Sequence, residues 1–333
     1  MSGQSSQKLY GDDEMKRLLL VLVLIAVAIS GCMEKAPSGT KESVGDIKTL
    51  AIKSADNLST YSLKSSVTQT MKLNAAGINA TPEKATTISE SAETVASVNL
   101  SGFQAKASGL TKSILEMPGQ PANSSSTQAD VYQIGNSTYV KDDKGQWTHL
   151  KDPRSAAEIW GEGNNNQVRN LAEMINQSQT ENVGSETVDG VDTYKLKILT
   201  GKGDYDNLYN TAFGTAARLT QYPLFMPSIN RMELNETAKM EKLIWISKDD
   251  YLPKKYQSSL SFKMTPEIIG SLDPNTGQMK MFNQSVRLGE VSVSVETTDL
   301  YYDFNKPVDI SPPAEALEAK PISPTQIQAT LPA

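Results

Sequence analysis

From Tyr61 to Leu73 the chain alternates with a period of two: Tyr61, Leu63, Val67, Met71 and Leu73 fall on one side, and Ser62, Lys64, Ser66, Thr68, Thr70 and Lys72 on the other. Successive side chains of a strand point to opposite faces, so the pattern predicts a long strand with one apolar and one polar face. Similar alternation recurs at 94–104, 129–132, 137–140, 146–150 and 193–198, and again at 243–247 and 256–264. Turn chemistry separates these runs. Gly135-Asn136, Asp142 to Gly145, Asp189-Gly190 and Asp249-Asp250 supply the positive φ or side-chain bonding that tight hairpins need. A chain with this repeated signature is dominated by antiparallel strands joined by local connections.

Three segments carry the helical period. Val44, Ile47, Leu50, Ala51, Ala55 and Leu58 recur at three- and four-residue steps behind Ser43, a suitable N-cap. Two more helices are expected within 166–179 and 204–219. In the last alternating run, Val291, Val293 and Val295 are odd, whereas Leu300, Tyr302 and Phe304 are even, which predicts a β-bulge near Thr297 to Asp299. Residues 118–127, rich in Pro, Asn and Ser, read as a mobile loop, and residues 312–333, with five prolines, as an unstructured tail.

Cys32, the single cysteine, follows Lys16-Arg17, an apolar run from Leu18 to Ile29, and the small pair Ser30-Gly31. A basic segment, a short apolar segment and a small-residue cleavage site are the parts of a secretory signal. Twelve apolar residues extend about 18 Å as a helix, too short to cross a bilayer. Ile29-Ser30-Gly31-Cys32 resembles a bacterial-type lipobox, which implies cleavage between Gly31 and Cys32 and a lipid on the cysteine. The expected organisation is a signal peptide over 1–31, a lipidated flexible tether over 32–42 and a folded region over 43–311. Asp12, Asp13 and Glu14 directly precede the basic pair, and Met15 is the expected start of translation.

The net charge is −6, and no basic stripe is present to engage phosphates, which argues against a nucleic-acid partner. His149 is the sole histidine, so the chain has few groups for a nucleophile and base pair or for zinc. Asp142-Asp143, Asp249-Asp250 and Asp204 with Asp206 do not match a calcium loop, and Thr200-Gly201-Lys202-Gly203 lacks phosphate-loop spacing. No enzyme activity, cofactor or metal is expected. Eight Asn-x-Ser/Thr sequons, at Asn57, Asn79, Asn99, Asn123, Asn136, Asn176, Asn235 and Asn283, are glycan acceptors in an exported protein or chance products of a Ser/Thr-rich chain.

Gly184 to Leu196, Leu243 to Lys255 and Tyr302 to Pro313, in order and spacing, resemble the closing strands of the LolA/LolB-like and LppX/LprG-like lipoprotein superfamily. The resemblance implies an α+β fold in which a single large curved antiparallel sheet, a half-barrel, wraps around a few helices and a lipid-sized cavity. Its weakest stretch, Gly203 to Ala238, is expected to form a lid or cavity helix. Tyr61, Leu63, Val67, Met71, Leu260, Phe262 and Met264 would line either core or cavity. Two functional readings follow. One is a membrane-anchored extracytoplasmic lipoprotein that carries a lipid or other hydrophobic ligand; the other is a cell-surface lipoprotein with a filled core that serves as a structural or protein-interaction module.

Overall fold

A computed structural model describes residues 42–75, 85–161, 165–273 and 276–322. Cys32, Gly31, Asn79 and the expected signal and tether up to residue 41 lie outside these residues. Six helices are described: α1 (Val44–Asp56), α2 (Ala156–Gly161), α3 (Gln167–Gln177), α4 (Lys202–Thr220), α5 (Arg231–Thr237) and α6 (Ala314–Leu317). The first strands are β1 (Thr60–Ala75), β2 (Thr86–Asn99), β3 (Gln104–Glu116), β4 (Asn123–Ile134), β5 (Ser137–Lys141) and β6 (Trp147–Lys151). After α3 come β7 (Thr180–Val188), β8 (Val191–Ile198), β9 (Phe225–Ser228), β10 (Lys239–Ser247) and β11 (Pro253–Met264). The chain finishes with β12 (Glu267–Leu272), β13 (Met279–Arg287), β14 (Gly289–Tyr302) and β15 (Pro321–Ile322).

Twelve strands form one open sheet in the order β15-β6-β5-β4-β3-β2-β1-β14-β11-β10-β8-β7, and β13-β12-β9 form a second, small sheet. All pairs in the large sheet are antiparallel except β15 with β6. β1 lies near the middle, and its apolar residues Tyr61, Leu63 and Met71 are buried while Lys64 and Thr68 on the other face are exposed. One face of the sheet is therefore covered and the other meets solvent, as its alternation demands.

The helices cover that inner face in two places. Ser43 caps α1 by accepting from the Asp46 amide at 3.2 Å, and Asp46 returns a bond to the Ser43 amide at 3.0 Å, a capping box. Ile47, Ala51 and Ala55 of α1 and Val168, Leu171 and Ile175 of α3 then close over Tyr61, Leu63, Leu196, Ile244 and Tyr301 in one core cluster. The second cluster joins Leu208, Ala212 and Ala216 of α4 and Leu234 of α5 to Met71, Phe262, Met264, Val291 and Val293. Each large side chain so buried contributes about 1.5–3 kcal/mol.

Three sequence expectations are corrected. No bulge interrupts β14 at Thr297 to Asp299: its register with β1 and β11 is continuous, so Thr297, Asp299 and Tyr301 keep the inner face and Leu300 and Tyr302 face outward. The phase changed because the inner face itself turns polar. Within the expected loop 118–127, Asn123 to Thr127 belongs to β4 and pairs with β3, since Ser and Thr backbones complete a ladder without apolar side chains. The expected unstructured tail carries α6, whose Ala316 is fully buried, and β15, which adds to β6.

Candidate functional site

The inner face of the large sheet is the surface where the expected cavity residues meet. Tyr61 and Leu63 belong to the cluster beneath α1 and α3, and Met71, Phe262 and Met264 to the cluster beneath α4 and α5. Leu260 packs against the second cluster. Val67 is half-buried and lies between the two along β1.

Between the clusters runs a polar belt. Row by row across the strands it comprises Thr94, Ser65 and Asp299, then Thr297 and Ser258, then Glu90 and Gln69. Asp299 is buried beside Tyr301, whose hydroxyl donates to it at 3.5 Å. Burial raises the Asp299 carboxyl above the ordinary carboxylate range, while hydrogen bonds from Ser65 and Tyr301 oppose the rise. Burial also raises Tyr61 and Tyr301, and pushes the Tyr256 phenol up to about 12. Tyr61 is further tied to the α3 entry, donating to the Asn165 carbonyl at 2.8 Å and accepting from the Gln167 amide at 3.2 Å.

Helix α4 crosses this belt. Asp204 in its first turn pairs with Lys242 of β10, and Arg218 in its last turn pairs with Glu90 of β2 at 3.3 Å. Fourteen helical steps separate Asp204 from Arg218, a span of about 21 Å, and β10 and β2 stand four strand spacings apart, about 19 Å. The match means that the helix lies across the strands with one ion pair at each end. Its buried side carries the small residues Ala212, Thr215, Ala216 and Thr220.

Beyond β1 the same inner face continues through Ala92, Ala96, Ala107, Gly109, Thr111 and Ala129, all half-buried and small. A separate cleft of roughly 390 Å³ lies where α5 meets the small sheet. It is mostly polar, lined by Ser228, Asn230, Glu233, Thr265, Glu267 and Arg287. Its charges are already engaged: Glu267 accepts from Arg287 at 2.8 Å, and Glu233 accepts from the Thr265 hydroxyl at 2.8 Å.

His149 bridges β5 and the C-terminal segment. Its Nδ1 lies 3.3 Å from the Ala319 carbonyl and its Nε2 3.1 Å from the Ser137 hydroxyl, with the ring stacked on Tyr139. A carbonyl can only accept, so Nδ1 carries the proton in the neutral ring and Nε2 accepts from Ser137. Among the described residues no group of three His, Cys, Asp or Glu is placed to hold a metal, and no helix is long and apolar enough to cross a membrane.

The sequons fall in varied settings. Asn123, Asn235 and Asn283 are exposed, on β4, α5 and β13. Asn57 caps α1 and donates to the Lys53 carbonyl, Asn99 accepts from the Gly102 amide, and Asn136 donates to the Asp152 and Arg154 carbonyls. Asn176 is half-buried on α3.

The sequence expectations missed the belt and its clamp. The signal was present as interruption: Ser65 and Gln69 break the apolar side of β1, and Thr297 and Asp299 break that of β14.

No protein-family profile and no curated protein matches the chain. Among solved structures it is similar to Mycobacterium tuberculosis lipoprotein LppX, with 10% identity over 82% of this chain and 100% of that one, at a TM-score of 0.37. LprF from Mycobacterium bovis aligns with 12% identity over 81% and 97% of the two chains, at 0.34. A putative outer membrane lipoprotein-sorting protein domain from Vibrio parahaemolyticus aligns with 12% identity over 74% and 87%, at 0.17. The architecture itself rests on the strand order and register described above.

Proposed function

We propose that this chain is a membrane-anchored extracytoplasmic lipoprotein, attached through a lipid on Cys32, that carries a hydrophobic molecule between its sheet and its helices. The observation that carries the reading is the manner in which α4 is held. Its two ends are fastened by ion pairs across a polar belt, and lifting it from the sheet would uncover the apolar surface of the second cluster for an acyl chain or similar group. A helix fastened at its ends is able to separate from the sheet there without dismantling the core beneath α1 and α3. The half-buried small residues of β2 to β4 supply further floor beside it.

Lipid extraction and native mass spectrometry of the protein purified from its own host test the proposal. A hydrophobic molecule at one copy per chain is expected, and a reproducibly empty protein would sink it. Mass spectrometry of the same sample also reads the Cys32 lipid and any glycan, for which exposed Asn123, Asn235 and Asn283 are the best placed acceptors.

The second reading, a cell-surface interaction module with a filled core, is favoured by one observation. Met71, Phe262 and Met264 are at most 4% exposed, packed by neighbours of this chain. An empty protein whose stability is unaffected by added lipid is the outcome that selects it.

A further inference from the structure

Beyond its first turn α4 carries few of the charges that an ordinary surface helix sets against solvent. From Asn207 to Thr220 its only charged residue is Arg218, and that one is paired with Glu90. Beside the exposed polar face of Asp206, Asn207, Asn210, Thr211 and Gly214, an aromatic stripe runs along the flank of the helix at four-residue steps, Tyr205, Tyr209 and Phe213, with Tyr209 and Phe213 half-buried and Tyr209 packed against the second cluster. The Tyr209 and Phe213 rings stack at 6.3 Å, and Tyr222 meets Phe213 edge-on at 6.4 Å. Tyr205 is 43% exposed and Tyr222 53%. Leu224 and Phe225 extend the exposed apolar surface, and the Arg231 guanidinium sits 3.8 Å above the Tyr209 ring.

We propose that this stripe rests on the headgroup region of the bilayer that holds the anchored Cys32. The inference rests on the anchored reading above and adds the face by which the molecule meets the membrane. Tyrosine suits that boundary, with its ring among acyl chains and its hydroxyl in water, and a cation beside it faces lipid phosphates.

Chain geometry selects the bilayer over another partner. Glu42 accepts from the Tyr194 hydroxyl at 2.6 Å and from the Tyr251 hydroxyl, so the point where the tether leaves the fold is fixed. It leaves beside α1, on the same face of the sheet as α4. Tyr194 is level with Ile246 on β10, and Lys242, which holds the start of α4, is four residues along that strand, about 13 Å. Ten residues separate Cys32 from Glu42 and reach at most about 33–36 Å. The stripe therefore lies within the tether's radius and on the tether's side, whereas the opposite face of the sheet is turned away.

The test uses the full chain on phosphatidylcholine vesicles whose acyl chains carry bromine, which quenches tryptophan on contact. Tyr205→Trp places a reporter in the stripe, and Val95→Trp places one on the far face, where Val95 is 48% exposed. The emission added at position 205 is expected to be lost and that at position 95 retained. Equal behaviour at the two positions, with the protein floating on the vesicles, overturns the proposal and leaves the anchor standing. Failure of the wild-type chain to float refutes the anchor. Docking is then read at high lipid with Cys32→Ser added, where quenching at position 205 is still required and its absence is decisive against the stripe. In that background Tyr222→Ser with Phe225→Ser is expected to weaken vesicle partition by roughly tenfold. Unchanged partition together with concentration-dependent dimers would assign the stripe to a second copy of the chain instead.

Discussion

Arg218 in the last turn of α4 reaches Glu90 of β2 at 3.3 Å, four strands from where Asp204 in the first turn of the same helix meets Lys242 of β10. The acidic members of the two pairs are about seven-eighths shielded from solvent, so they lie between a surface ion pair and a fully buried one. Arg218→Ala or Lys242→Ala is expected to cost roughly 1–3 kcal/mol, because each leaves a carboxylate unpaired in a shielded position. Hydrogen exchange should rise in α4 and stay unchanged in α1 and α3. Uniform acceleration across all three helices would show that α4 is not an independently fastened element.

Glu42 is the first described residue, and its contact with Tyr251 has a titration signature. The hydrogen bond to Glu42 and, second, burial push the Tyr251 phenol up to about 12. Glu42→Gln should bring that phenol back toward its ordinary value, read by absorbance in alkaline solution. A phenol raised in the folded state keeps its proton longer there, so its stabilisation is complete below the unfolded value and is lost as pH rises through about 12. The wild-type chain should accordingly lose stability in strong alkali more steeply than the Glu42→Gln variant.

Asp299 behaves as the acid counterpart. Its folded carboxyl is raised by burial, so the folded chain binds the proton more tightly than the unfolded one, and stability falls as pH rises from the unfolded value through the folded one. Asp299→Asn keeps the shape and an acceptor for the Tyr301 hydroxyl. It is expected to raise the melting temperature at neutral pH, with the gain shrinking toward pH 4. A melting temperature lowered equally at both pH values would show that the carboxylate itself is required.

Gly270 in β12 opposes Met281 of β13, and a Cβ there would lie 2.9 Å from the Lys280 carbonyl oxygen and 3.2 Å from the Met281 sulfur. Backbone on the partner strand cannot yield as a side chain can. Gly270→Ala should cost roughly 1–3 kcal/mol, concentrated in the small sheet. Faster amide exchange in β13, without change in β1 or β14, is the expected reading.

Legibility followed locality. Ser43 announced the start of α1, the alternation from Tyr61 announced β1, and the 3.6-residue period announced α3 and α4 within one or two residues of their ends. Those signals lie within one element. The belt was hidden because it belongs to no single element: Ser65, Asp299 and Thr297 become neighbours only once β1 and β14 are in register. The small sheet escaped for a related reason, since β9 is four residues long and pairs through a bulged ladder with β12, leaving no periodic signal. The seven residues expected to line either core or cavity are divided by the fold into two clusters and a junction, a division set by which helix stands above each strand segment.

An open sheet of twelve strands has two raw edges, and both are blunted. At one, the short β15 occupies β6, held by the His149 contact with Ala319, so that among the described residues the new edge is two residues long. At the other, β7 slips register between Asn182 and Gly184, where Gly184 adopts φ 136°, and it carries Glu181 and Glu186 beside exposed Val183. A kinked, acidic edge and a capped one are poor templates for adding a neighbour's strand. On the membrane proposed above, chains crowded in two dimensions would thereby be protected from polymerising edge to edge, the hazard of a broad unclosed sheet.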